Sequence, residues 1–240
     1  MIGHKKILAV IPARGGSKRL PRKNILSFSG RPLIFWTIQA ATLSKYIDKV
    51  VVSTDDNEIS EISRYYGAEV PFLRPKRLAT DLSSTADVVL DLLGKLESKE
   101  EEYDYVVLLQ PTSPFRNSYH IDDAIEQLND QGSDAVISVC PVRHHPSWCN
   151  TLGDDKSMDD FLRSDLHNVR SQDLPKNYII NGAIYLCKTS VFKLQKTFFP
   201  TPRSHAYIMR TDDSIDIDTE LDFKIAECLS QFRDLKIKAL

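Results

Sequence analysis

The chain is 240 residues long, 42% hydrophobic and 27% charged, which suits one large α/β domain rather than a disordered or fibrous protein. Its formal net charge of -2 provides no overall attraction to nucleic acid or to an anionic membrane, so any anion site must come from local charge. Four scattered cysteines, Cys140, Cys149, Cys187 and Cys228, contain no CxxC pair and predict buried free thiols, not a zinc site or a disulfide framework. The opening residues lack the long apolar stretch of a signal peptide and no later run is long enough for a bilayer, so the expected location is the cytoplasm.

Residues Ile7–Ile11 form a continuous apolar run between Lys6 and Pro12, the pattern of a strand buried on both faces. A helix is predicted over Pro32–Lys45, a second strand over Lys49–Ser53, a helix capped by Asp55 or Asp56 up to Tyr66, and a third strand over Ala68–Leu73. The alternation continues with helix Thr85–Leu96, strand Tyr105–Leu109, helix Tyr119–Gln131 and strand Ala135–Cys140. Regularity fails from Pro141 to about Asn177, read as an arm over the core and an oligomer contact. Strand character returns at Tyr178–Leu186 and Tyr207–Arg210, followed by helix Glu220–Phe232 and a last strand at Leu235–Ile237. Such alternation predicts a doubly wound, mostly parallel α/β sheet with helices on both faces, forming a single domain.

Between the first strand and the first helix lies Pro12-Ala13-Arg14-Gly15-Gly16-Ser17-Lys18-Arg19-Leu20-Pro21-Arg22-Lys23-Asn24. Open α/β sheets bind ligands at the carboxyl ends of their strands, where this loop falls. Gly15 and Gly16 allow close backbone approach, and Arg14, Lys18, Arg19, Arg22 and Lys23 supply cations for a polyphosphate. Neither GxxxxGK[ST] nor GxGxxG is present, so this is neither a P-loop nor a dinucleotide fingerprint. A solvated basic loop is the plain alternative.

Asp216 and Asp218 stand two apart in an extended segment and so project from one face. Their repulsion is relieved by a cation between them, with Mg²⁺ the natural partner, or Mn²⁺ in its place; helix capping by Asp218 or Thr219 is the alternative. Gln110-Pro111-Thr112-Ser113-Pro114 follows a strand, so Gln110 is placed to bond a base or sugar, with a plain proline turn as the alternative. After the third strand, Arg74 could reach a phosphate, and Ser83, Ser84 and Thr85 could contact ribose or base; a helix cap beside a surface arginine explains the same residues. His144-His145, adjacent on an irregular segment, read as structural histidines.

Taken together and in order, Ile-Pro-Ala-Arg-Gly-Gly-Ser-Lys-Arg-Leu-Pro-Arg-Lys-Asn (11–24), Arg-Pro-x-x-Leu-Ala-x-Asp (74–81), Gln-Pro-Thr-Ser-Pro (110–114), Asn-Gly-Ala-Ile-Tyr (181–185) and Ser-Ile-Asp-Ile-Asp-Thr-Glu-Leu-Asp (214–222) resemble the motifs of the N-acylneuraminate cytidylyltransferases, the CMP-sialic acid synthetases. The resemblance covers nearly the whole chain. It implies a Rossmann-like nucleotidyltransferase that couples CTP to an acidic nine-carbon 2-keto sugar, releasing pyrophosphate, and works as a homodimer through its arm.

By the same resemblance, Arg14, Gly15, Gly16, Ser17, Lys18, Lys23, Asn24, Arg74, Thr85 and Gln110 bind the nucleotide. Gln110, Asn181, Tyr185, Phe198 and Phe199 meet the sugar, and Asp216 and Asp218 hold the metal. Lys23, Arg14, Lys18 and Asp216 carry the catalysis. One position departs: two residues past His-His-Pro the sialic acid enzymes carry a lysine, whereas this chain has Trp148, which leaves legionaminic and pseudaminic acids open as substrates. An eight-carbon acid, as in CMP-Kdo synthetases, a silent nucleotide-binding protein and a nucleic-acid module are the remaining alternatives.

Overall fold

The computed structural model describes residues 4–166 and 169–232. Its main sheet has six strands: β1 (Ile7–Pro12), β4 (Lys49–Ser53), β5 (Tyr105–Leu108), β6 (Ala135–Pro141), β7 (Tyr178–Lys188) and β8 (Ser204–Ile208), in the order β4-β1-β5-β7-β6-β8. The pairings β1–β4, β1–β5 and β6–β8 are parallel; β7 alone runs against its neighbours β5 and β6. The short strands β2 (Ser27–Phe28) and β3 (Arg31–Pro32) make a separate hairpin beyond the basic loop.

Alternation along β1 assigns the helices to faces. Ile7, Ala9 and Ile11 point to a core shared with α1 (Leu33–Thr42), α2 (Asn57–Tyr65) and α4 (Ser118–Asp130). Leu8 and Val10 point the other way, to α3 (Thr85–Glu97) and α5 (Thr189–Gln195). The sheet is therefore doubly wound. A third cluster, Phe28, Leu33, Trp36, Phe115, Ile217 and Ala226, seats α6 (Glu220–Phe232) on the β2–β3 hairpin. That packing brings the Asp216 segment back to the basic loop from the far end of the chain.

Several expectations are corrected. Ala68–Leu73 forms no strand: Glu69 makes one parallel bridge to Val51, with its N–H on Val50 O and its carbonyl receiving Val52 N–H. The next residue due to donate on that side is Pro71, which has no N–H, so the ladder stops. The strand expected at Tyr207–Arg210 lies earlier, at Ser204–Ile208. Pro32 precedes α1 as its cap residue, and α5 follows β7 directly with a pattern too short to read beforehand. Cys149 and Cys228 are exposed, while Cys140 and Cys187 are buried. The strand expected at Leu235–Ile237 lies outside the described residues. Residues 142–177 contain only 3-10 turns where described, and no described helix is long and apolar enough to cross a membrane.

Candidate active site

A cavity of about 700 Å³ opens at the carboxyl ends of β1, β4 and β5. Its wall includes Arg14, Ser17, Lys18, Arg19, Lys23 and Asn24 from the basic loop, together with Arg74, Asp81, Thr85, Gln110, Asp216 and Asp218. Four separate stretches of sequence thus meet in one concavity, as ligand sites of doubly wound sheets do.

The loop is held from beneath. Asn24 is buried and donates from Nδ2 to Arg14 O at 3.0 Å. Gly15 N–H is bound to Asp55 Oδ1 at 3.0 Å, so this amide faces the protein, and a Cβ there would stand 2.7 Å from Asp56 Oδ2. Gly15 is needed for that close approach. Neither Gly15 nor Gly16 lines the cavity. Arg22, in left-handed conformation at φ 57°, turns its guanidinium to Asp56 at 2.5 Å and to Glu58. Of the five cations, Arg22 is spent on α2, and Arg14, Lys18, Arg19 and Lys23 face the cavity.

Those four rest on carboxylates. Asp81 bridges Arg14 at 2.8 Å and Lys18 at 2.5 Å, and the two cations hold its carboxyl below the usual range. Lys23 Nζ donates to Asp218 Oδ1 and to Ile217 O, both at 2.8 Å, while Arg19 reaches Asp218 at 3.3 Å. Arg74 is buried at the end of β4, its Nε on Ser53 Oγ at 3.1 Å and a second nitrogen on Ser53 O. Burial lowers its pKa to about 10, which leaves it charged. It is no surface arginine. Ser84 caps α3 by accepting Asp87 N–H, Ser83 bonds Thr80 and Arg77 O, and Thr85 reaches the cavity from the first turn of α3.

Asp216 is open to solvent yet enclosed by the concave wall. Desolvation there raises its pKa, aided by the like charge of Asp218 and opposed by a hydrogen bond with Thr112. Among the described residues no three His, Cys, Asp or Glu side chains converge as a metal cage. Two carboxylates suit an ion that keeps waters and shares phosphate oxygens, as Mg²⁺ does, and not an ion needing an all-protein shell.

The four residues expected only at the sugar stand apart from the cavity lining. Asn181 is buried: Oδ1 accepts Ser138 Oγ–H at 2.6 Å and Nδ2 donates to Ser214 Oγ at 2.9 Å. Phe198 packs in the core against Phe192, with ring centroids 4.4 Å apart. Tyr185 lies between Phe198 and Phe199, at 6.0 and 5.8 Å, with its hydroxyl pKa raised by burial and then by Asp216. Phe199 is exposed. His145, one of the tandem histidines, accepts Ser147 N–H and contacts Asn177, closing the turn that carries Trp148.

The fold and cavity define a nucleotide-binding α/β protein with a cationic loop at the head of its sheet. Residues 8–238 match the sequence model of the cytidylyltransferase family, and the chain belongs to that family. It is 40% identical over 228 residues to the CMP-N,N'-diacetyllegionaminic acid synthase of Legionella pneumophila, covering 94% of this chain and 97% of that one. An N-acylneuraminate cytidylyltransferase of Streptococcus agalactiae is 41% identical over 220 residues; these are 91% of this chain but 52% of the relative, so the chain spans about half its length. A solved CMP:2-keto-3-deoxy-manno-octonic acid synthetase complexed with CTP shares the fold, with a TM-score of 0.70 at 18% identity, covering 95% of this chain and 99% of that one.

Proposed function

We propose that the protein couples CTP to a nine-carbon 2-keto sugar acid, forming the CMP-sugar and pyrophosphate. The observation carrying this reading is the meeting of Arg14, Lys18, Arg19 and Lys23 with Asp216 and Asp218 around one cavity. Cations on one side suit a triphosphate; accessible carboxylates on the other suit a divalent ion and a hydroxyl nucleophile.

In this reading Arg14 and Lys18 exchange Asp81 for the phosphates that leave as pyrophosphate. Lys23, held at its Nζ by Ile217 O, stands at the α-phosphate, where charge grows as the sugar's anomeric oxygen attacks in line. Ser17, Arg74, Thr85 and Gln110 complete the nucleotide wall. Asn24 acts through Arg14 by fixing the loop, and Gly15 lets the loop pass close to Asp56, whereas a side chain at Gly16 would meet open space. Asp216, with Asp218, would hold a divalent ion, Mg²⁺ or Mn²⁺, which when bound supplies charge neutralisation at the phosphates and acidifies the attacking hydroxyl. Tyr185, whose hydroxyl feels the charge of Asp216, and Phe199 packed against it would present an aromatic wall to the sugar, while Phe198 and Asn181 support it from the core. The irregular 142–177 stretch is proposed as a homodimer arm.

The 40% identity over nearly the full length of both chains favours a legionaminate-type acid within the nine-carbon class, and Trp148 in place of a lysine leaves legionaminic and pseudaminic acids both open. The test is to incubate the protein with CTP, Mg²⁺ and a panel of N-acylneuraminic, legionaminic, pseudaminic and eight-carbon acids while following pyrophosphate. Release with a nine-carbon acid is expected. Release with none of them, or with the eight-carbon acid alone, would overturn the proposal.

A further inference from the structure

Arg116 ends the loop that begins at Gln110, and it is 2% exposed. No carboxylate pairs with it among the described residues, and its NH1 group is buried without a hydrogen-bond partner. Burial alone draws its pKa down to about 9, so it remains a cation at neutral pH. A buried charge without a counter-charge is costly, and neutral hydrogen-bond acceptors offset only part of that cost.

The position of this cation is informative. Strands β5 and β7 pair as far as Leu108 and Tyr185. Continued register would set Gln110 against Ala183, but the strands part there. Arg116 occupies the fork: Nε donates to Ala183 O at 3.1 Å and NH2 to Gln110 O at 3.0 Å. Thr37 of α1 accepts from the same NH2 at 2.7 Å. On the far side of β7 the ladder also skips, from Ile137–Tyr185 to Val139–Ile180, and Ser138 Oγ fills the break by accepting Ile184 N–H at 2.7 Å. Gly182 lies in this break at φ +75°, and a Cβ on it would meet Gln110 Oε1 at 2.7 Å. The Gln110 side chain, which lines the cavity, is thus laid across Gly182 while its carbonyl is gripped by Arg116.

We infer that Arg116 is a positioning and specificity-determining residue for the acidic co-substrate: it fixes Gln110 over Gly182 and puts an uncompensated positive charge behind that end of the cavity. The inference rests on the proposed function. A carboxylate-bearing sugar arriving beside Gln110 supplies the counter-charge that the fold withholds, across a low-dielectric wall where the attraction is strong. A neutral sugar gains nothing from it.

The test compares Arg116→Lys, Arg116→Met and the near-isosteric Thr37→Val with the parent protein. KM for the sugar acid and for CTP are measured separately, as are thermal stability and turnover of the sugar acid's methyl ester. Arg116→Met is expected to raise KM for the acid ~10-fold with KM for CTP within about twofold, as for loss of one charge-linked contact. It should also narrow the preference for acid over ester, which a merely structural loss would not do. Arg116→Lys should recover part of both effects, and Thr37→Val should raise KM for the acid about threefold by loosening the grip. Unchanged acid KM in the folded variants, or equal rises in both KM values with the acid–ester preference intact, overturns the inference. If neither Arg116 variant folds, Thr37→Val decides by the same criteria. Parent protein that turns over a nine-carbon acid while the variants keep its KM removes this inference alone; parent protein that turns over none removes the proposed function and this inference with it.

Discussion

The basic rim of the cavity and the buried break between β6 and β7 behind it are both polar, but they use polarity differently. On the rim, Arg14, Lys18 and Lys23 rest on Asp81 and Asp218, carboxylates that are themselves close to half exposed. Such pairs contribute little to stability and exchange readily for a ligand anion. In the β6–β7 break, Asn181 and Ser138 are buried and bonded to each other and to β7, so losing one leaves a partner stranded. Polar groups of similar chemistry therefore differ in how replaceable their partners are: the rim pairs face the cavity, and the β6–β7 pairs are closed in the core.

The largest effect that would break this comparison is kinetic. Lys23→Ala should lower pyrophosphate release on the order of 10²–10³-fold, as for loss of one charge contact at a transition state. Its unfolding free energy should fall by no more than about 1–2 kcal/mol, because Lys23 is largely covered but its partner Asp218 is close to half exposed. Near-normal release, or a collapse in stability, would place Lys23 with the scaffold. Asn181→Ala should behave in the opposite sense: denaturant unfolding should show a loss of about 2–3 kcal/mol, because Ser138 and Ser214 lose their buried partner.

A third prediction separates two carboxylates that each bridge two cations. Asp134 joins Lys188 at 2.8 Å and Arg203 at 2.7 Å away from the cavity, and the pair holds its pKa at about 2. A depressed carboxylate stabilises the fold above its ordinary pKa and loses that contribution as pH falls toward the folded value. Asp134→Asn should thus cost about 1–2 kcal/mol at pH 7, after discounting for the exposed arginine, and almost nothing near pH 2. Chemical denaturation at both pH values checks the sign. Asp81→Asn is the smallest effect: by freeing Arg14 and Lys18 it should tighten CTP binding about two- to fivefold, measured by calorimetry, with stability nearly unchanged. Weaker binding would mean that Asp81 belongs to the nucleotide's own contacts.

Much of the sheet was legible because its strands are short apolar runs, and Lys49–Ser53 and Glu220–Phe232 fall where the pattern places them. The third strand misled because its apolar residues continue past Pro71, and hydropathy carries no information about a missing donor. At the site, the basic loop was legible as charge and glycine after a strand. The division of labour within it was not. That Arg22 turns to Asp56, or that Gly15 N–H serves Asp55, depends on α2 lying beside the loop. Arg116 went unread for a related reason: an arginine following Gln-Pro-Thr-Ser-Pro-Phe looks like surface until the parting of β5 and β7 shows the fork it fills.

The reversed direction of β7 has one more outcome. Because β6 ends and β7 begins at the same edge, Pro141 and Tyr178 are a ladder pair, and the whole 142–177 excursion leaves and returns through a single gate. Lengthening such a closed lobe costs only about 0.6 kcal/mol for each doubling, since its ends are already tied together by the sheet. The lobe can therefore be enlarged, trimmed or exchanged as a cassette, while the strand register that carries the nucleotide end stays untouched.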